Sequence, residues 1–414
     1  MNDHPHLHMF EAYGIELEYM IVDAESLSVL PVADRILFDV AGDFESEVER
    51  GRISWSNELV LHVIELKTNG PAASLLPLPH AFQENVKQIN DLLGSYGGRL
   101  MPTAMHPWMN PSTEMRLWPH EYHSVYETYD RIFDCRSHGW ANLQAVHINL
   151  PFDGDDEFRR LHAAVRLILP LLPALAASSP IVNGRLTGLS NTRLDVYRSN
   201  AAKFPSITAM VIPEPVFSRA EYDRQIFQPM YDDIRPHDTA GVLQHEFLNS
   251  RGAIARFDRG SIEIRLLDVQ ECPAADLAIC GAVVEVLRAL AEERWRTTEE
   301  QQLFATAPLS RILLGTIRDA ENTVIKNTEY LSHFGIRRTR CTAGEVWQYL
   351  SEKSVLGLSN ELPWKDTLPT ILEDGPLSRR ITRCLDGEPT LANIRHVYGE
   401  LCDCLAEGRL FRGC

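Results

Sequence analysis

Glu16 and Glu18 stand two positions apart in the stretch GIELEYMIVD, where apolar and polar side chains alternate. In an extended strand that alternation sends Tyr13, Ile15, Leu17, Tyr19 and Ile21 to one face. Both glutamates go to the other, roughly 7 Å apart at Cα. The pattern recurs in NLQAVHINLPF, where Val146, Ile148 and Leu150 oppose His147 and Asn149, and in GSIEIRLLDVQ, where Ile262, Ile264 and Leu266 oppose Glu263 and Arg265. Glu65, in ELVLHVIELKTN, is a weaker member, because Leu59, Leu61 and Val63 share its parity. Its inclusion calls for a bulge or twist in that strand. Two carboxylates about 5 Å apart repel by roughly 3 kcal/mol at an effective dielectric of about 20. Gathered glutamates therefore need raised pKa values or a bound cation. Oxygen-rich ligands favour Mg²⁺ or Mn²⁺, and a single histidine among carboxylates argues against a structural zinc site.

A second contrast lies in NGRLTGLSNTRLDVYRSNAAK, where Arg185, Arg193, Arg198 and Lys203 face one acid, Asp195. Gly184 and Gly188 make it a loop able to close over something. Taken alone it reads as a solvated cationic loop; beside an acidic cleft it equally suits phosphate or carboxylate groups. The chain contains no GxxxxGK[ST], GxGxxG, GxSxG or HExxH motif, so any bound phosphate must be held by metals on carboxylates and by arginines. His120 and His123 read as surface or cap histidines, and the HPHLH start as a mobile, unused tail.

Pattern also gives the elements that must position these residues. Strands are expected at 10–23, 53–68, 99–105, 141–150, 253–258 and 261–269, and helices at 79–95, 119–136, 155–177, 219–231 and 273–295. Irregular gaps between the strands exclude a regular parallel βα alternation and indicate an α+β sheet of about six strands with helices packed on one face. From 297 onward the chain reads as helical: Thr297 with Glu300 and Thr342 with Glu345 have capping-box spacing, Gly387 is a helix stop, and TLANIRHVYGELCDCLAEG is a final amphipathic helix. The expected division is a catalytic core over 1–296 and a helical extension over 297–414.

The 414 residues carry 57 acidic against 40 basic side chains, a net charge of −17, which disfavours nucleic acid and anionic membranes as partners. The apolar run 163–182 contains Arg166, Pro170, Pro173 and Pro180, so it reads as a buried helix and loop and not as a membrane span. The start lacks the basic and apolar regions of a signal peptide, and eight cysteines show no zinc spacing. Reduced thiols in a cytoplasm are expected. Oligomeric state is left open, a homo-oligomer included.

GIELEYMIVD, ELVLHVIELKTNGP, MPTAMHPWMNP, LQAVHINLPF, SNTRLDVYRSN and GSIEIRLLDVQECP occur in the order seen in the glutamate–cysteine ligase family. Over roughly residues 10 to 295 the chain resembles that family's short bacterial carboxylate–amine ligase branch. The resemblance implies a glutamine-synthetase-like core, a curved, mainly antiparallel sheet whose concave face holds metal ions and ATP. It implies Glu16, Glu18, Glu65 and Glu263 as metal ligands, and His147 beside metal or nucleotide. Asn149 falls toward the substrate amino acid and Arg185 on the cofactor side. Arg193, Arg198 and Arg265 would steady phosphate oxygens or a substrate carboxylate, while His106 lies near the cleft without an assigned role. The chemistry implied is ATP-dependent joining of a carboxylate, glutamate by family name, to an amine, cysteine by the same name, through an acyl phosphate. The competing readings are a phosphotransferase of guanidino-kinase type and a catalytically silent nucleotide- or metal-binding protein.

Overall fold

The computed structural model describes residues 7–352, 366–385 and 389–413. Gly387 and most of the HPHLH stretch lie outside them. The strands are β1 (Gly14–Asp23), β2 (Glu47–Arg50), β3 (Ile53–Asn57), β4 (Val63–Thr68), β5 (Gly98–Met101), β6 (Ala145–Pro151), β7 (Ile181–Val182), β8 (Arg185–Leu186), β9 (Ala253–Arg256), β10 (Ser261–Asp268), β11 (Val324–Ile325) and β12 (Cys341–Thr342). Eight of them form one sheet in the order β2-β3-β4-β1-β6-β10-β9, with β5 pairing the far end of β1. Every pairing in it is antiparallel.

Eight strands replace the expected six for two local reasons. The expected strand 53–68 is broken between Asn57 and Val63, where Leu61 N–H donates to Arg116 O and Leu59 O accepts from Trp118 N–H. β2 reads EVER and buries only Val48, so it carries almost no apolar pattern. It pairs with β3 and forms the edge of the sheet.

One face of the sheet is packed. Ile15, Leu17, Tyr19, Ile21, Trp55, Ile64, Leu66, Ile148, Leu150, Ile262 and Ile264 share a single core with the helices Leu78–Gly94, Gly154–Ile168 and Pro273–Ala291. Each fully buried aliphatic side chain contributes about 1.5–3 kcal/mol against exposure. The expected helix 155–177 stops at Ile168 because Pro170 and Pro173 break the hydrogen-bond ladder into a short 3₁₀ turn and a fresh helical turn. No helix among the described residues is long and apolar enough to cross a membrane.

The other face is covered at its ends. Met20 and Val22 on β1 and Met101 on β5 are buried under the helices Leu377–Cys384 and Leu391–Glu407. Val63 is buried with Met109, Met115, Cys135 and Ala141 from the segment after β5. A polar strip remains across the middle. Both expected capping boxes are formed, but the β11–β12 ribbon interrupts the region read as wholly helical.

The C-terminal helices are pinned by a charge pair. Arg380 and Glu271 are both fully buried and hydrogen-bonded to each other, Glu271 lying just beyond β10. Removing one partner of such a pair strands the other charge in the interior, at about 3–5 kcal/mol. Arg380→Met is expected to lower the unfolding free energy by that amount in denaturant titrations, and adding Glu271→Gln should recover part of the loss.

Candidate functional site

Antiparallel register decides which side chains meet on the polar strip. Glu18 lies opposite Glu65, Glu16 lies opposite Lys67 on one side and His147 on the other, and Glu263 lies opposite Asn149. Glu65 needs no bulge in its strand, contrary to the sequence expectation. β4 starts at Val63, so Leu59 and Leu61 fall in the preceding loop while Ile64 and Leu66 take the packed face. The bulge occurs in β10 instead, where pairing with β6 shifts between Ile264 and Leu267.

His147 is the hub. Its Nδ1 is 2.7 Å from Glu16 Oε2 and 3.9 Å from Glu263 Oε1, and its Nε2 is 3.8 Å from Glu18 Oε1. Asn149 Nδ2 donates to Glu16 Oε1 at 2.9 Å, Ala145 N–H donates to Glu18 Oε2 at 2.7 Å, and Ser56 Oγ donates to Glu65 Oε1 at 2.7 Å. Arg265 Nε lies 3.0 Å and Arg256 Nη1 3.4 Å from the Glu263 carboxylate. Two sets of ligand-type atoms result, Glu16–His147–Glu263 and Glu18–Glu65–His147, each with its atoms within 4.8 Å of one another.

Glu18, Glu65, His147 and Glu263 are 8, 7, 7 and 5% exposed, so charge there is poorly solvated. Burial raises the Glu18 carboxyl despite His147 and the Ala145 amide. Burial together with repulsion from Glu16 and Glu18 raises Glu65 to about 7 against the pull of Lys67. Glu16 goes the other way: burial opposes ionisation, but the hydrogen bond and charge of His147, with Lys67 and Arg265, bring it down to about 2. Burial lowers His147, yet Glu16 and Glu18 prevail and hold it above its ordinary value. The donor set is thus oxygen-rich, carries one imidazole, and keeps some of its carboxyls from ionising freely. It fits a hard divalent cation, which would relieve that repulsion.

The structure gathers Glu16, Glu18, Glu65, Glu263, His147, Asn149 and Arg265. It places the other arginines elsewhere. Arg193, 2% exposed, pairs through Nε with Asp268 Oδ1 at 2.6 Å and donates to the carbonyls of Arg265 and Leu267. It therefore acts as a strut for β10 where a phosphate or carboxylate contact was expected. Arg198 turns to Asp195 at 2.8 Å on the exposed side of the helix Thr192–Tyr197, and Arg185 stands exposed on β8. Among the described residues no ion pair joins either to the glutamates. His106 is a buried loop fastener, with Nε2 2.7 Å from Leu27 O and Nδ1 accepting from Met109 N–H.

Sequence reasoning missed Glu58, whose carboxyl is pushed well up by burial and by the charges of Glu18, Glu65 and Glu16. It also missed Lys67, 2.8 Å from Glu47 and 3.5 Å from Glu65. Parity held both signals: Glu58 continues the face of Ser54 and Ser56, and Lys67 shares that of Glu65. Tyr129 and Tyr197, whose hydroxyls feel the Arg265 charge, come from distant helices and left no such trace.

The architecture is an antiparallel sheet with helices behind and a buried carboxylate–histidine face in front. The chain belongs to glutamate–cysteine ligase family 2, whose model matches residues 12–323. An uncharacterized protein of Archaeoglobus fulgidus is 37% identical over 280 residues, 68% of this chain and 75% of that protein. A putative glutamate–cysteine ligase 2 of Bradyrhizobium is 27% identical over 306 residues, 70% of this chain and 63% of its own length. Glutamate–cysteine ligase of Francisella tularensis in complex with AMP shares the fold, with a TM-score of 0.59 and 13% identity, over 97% of this chain and 89% of that one.

Glu65 supplies a pH test. Its folded pKa, about 7, lies above the ordinary 4.5, so its contribution is intact at acid pH and is lost as pH rises through 7. In EDTA, Glu65→Gln is expected to gain stability relative to wild type, by up to a few kcal/mol, as pH rises from 4.5 to about 7, and to keep that gain above it. Thermal melts check this, and added Mg²⁺ should stabilise wild type more than the variant.

Proposed function

We propose that the protein is an ATP-dependent carboxylate–amine ligase of the glutamate–cysteine ligase kind, acting on small molecules in the cytoplasm. Residues 1–296 form its catalytic unit and 297–414 a helical extension. The observation that carries the reading is the pair of ligand triads sharing His147 on the sheet of a family 2 chain. Glu16, Glu18, Glu65 and Glu263, with His147, would hold Mg²⁺ or Mn²⁺. Such ions, when bound, supply charge neutralisation for the phosphates of ATP.

The chain's own residues then have distinct tasks. Arg265, held against Glu263, steadies oxygens of the transferring phosphoryl group or the donor carboxylate. Asn149 fixes the orientation of Glu16 and reaches toward the donor amino acid. Arg193, through Asp268 and the Arg265 carbonyl, keeps the β10 bulge in place. In the reaction a donor carboxylate oxygen attacks the γ-phosphorus and the bond to ADP breaks. The amine nitrogen then attacks the acyl carbon, phosphate leaves, and nitrogen gives up a proton. No side-chain nucleophile is required, since the acyl phosphate already carries a good leaving group.

The test is ATP consumption with Mg²⁺ or Mn²⁺ over glutamate and a panel of amines, with mass spectrometry of products. Amide and inorganic phosphate should appear together and only when an amine is present. A stable phosphorylated product without amine would replace this reading with a phosphotransferase. Glu16→Gln should lower amide formation at least about 100-fold with the melting transition retained, and an active variant would sink the metal assignment.

A further inference from the structure

We propose that a hollow of about 520 Å³ away from the carboxylate face binds a compact multivalent anion bearing phosphate or carboxylate groups. It lies between the helix Thr306–Asp319 and β11. Its volume falls in the range of roughly 300–1,000 Å³ typical of small-ligand sites.

The lining carries the charge of an anion site. Arg311, Arg318 and Lys326 line it, and Asp319 is the single acid among the described lining residues. Arg318 is paired with that Asp319 at 2.7 Å, while Arg311 and Lys326 have no carboxylate partner among the described residues. An excess of cations gathered in one hollow is a local inversion in a chain of net charge −17, and long-range attraction would concentrate anions there.

A second observation is independent of charge. Thr323 also lines the hollow, is 7% exposed, and its hydroxyl has no hydrogen-bond partner among the described residues. Buried hydroxyls are normally satisfied, and this one lies in the wall of the hollow with its hydrogen-bonding capacity unused. Gly315 lets Thr323 pack closely against the helix Thr306–Asp319. A Cβ at Gly315 would meet Thr323 Cγ2 at 2.7 Å, so only glycine lets the threonine sit there.

The site is wired to the catalytic face through backbone bonds. Ile317 and Arg318 carbonyls accept from Asn191 and Ser190 N–H at 2.9 and 3.0 Å. Asn191 caps the helix that carries Arg193, the strut beneath Arg265. An anion clamped by Arg318 is therefore placed to tune that strut, a consequence that rests on the ligase reading; binding itself does not.

The test is isothermal titration of the full chain with pyrophosphate and with citrate, in EDTA at constant ionic strength. Wild type and Glu16→Gln should bind at least one probe saturably. The Arg311→Gln/Lys326→Gln variant should bind it at least about tenfold more weakly, and Thr323→Val should weaken it by less with its melting transition retained. Preference for pyrophosphate identifies a phosphate ligand, and preference for citrate a polycarboxylate. The proposal is overturned by absence of saturable binding of both probes, by wild-type affinity in the double variant, or by loss of binding in Glu16→Gln.

Discussion

Carboxylates buried side by side on one face of a sheet repel one another, and the rest of this structure is arranged around that repulsion. Glu16 answers it locally by accepting from His147, and the imidazole then attracts Glu18 and Glu263 as well. Glu65 and Glu58 are left without an equally strong partner, and their carboxyls resist ionisation. The strip is poised between protonation and cation binding. A sheet built from alternating apolar residues can hold such a strip because the packing energy comes from its other face.

Outside the strip, charges are paired in ways that fix backbone instead of meeting ligands. Asp268 accepts from Arg193 Nε, from Ser178 N–H and from Ser179 Oγ, so a carboxylate that is fully covered has both its oxygens hydrogen-bonded. Glu271 with Arg380 forms a second such pair three residues later. Both pairs sit at the end of β10, the strand that delivers Glu263 and Arg265. Buried ion pairs add little net stability, but they penalise any arrangement that separates them. That property suits a strand whose bulge must stay in register.

Beyond residue 323 the chain extends past its match to the family model. The helices of that extension cover Met20, Val22 and Met101, closing one end of the face on which the glutamates lie. The hollow beside Arg318 sits where the matched region ends, and Lys326 comes from just beyond it. Catalytic and anion-binding roles would thus be separated in space and joined through the backbone bonds to the helix that carries Arg193.

Period-two alternation is a local property, and it was enough to place Glu16 with Glu18, His147 with Asn149 and Glu263 with Arg265 on the polar faces of their own strands from the residues alone. The same rule misjudged Glu65 only because the strand's start, set by bonds from Leu59 and Leu61 to the distant residues Trp118 and Arg116, is not encoded in the alternation. The arginines expose the limit more sharply. Arg193 and Arg198 look alike in SNTRLDVYRSN, yet one is buried against Asp268 and the other is exposed beside Asp195. Which partner an arginine finds depends on carboxylates brought near by folding, some of them 75 residues away. The sequence by itself determined which side chains share a face. Tertiary structure alone decided which of those faces meet, because register and long-range charge pairing are settled only when the strands and helices pack.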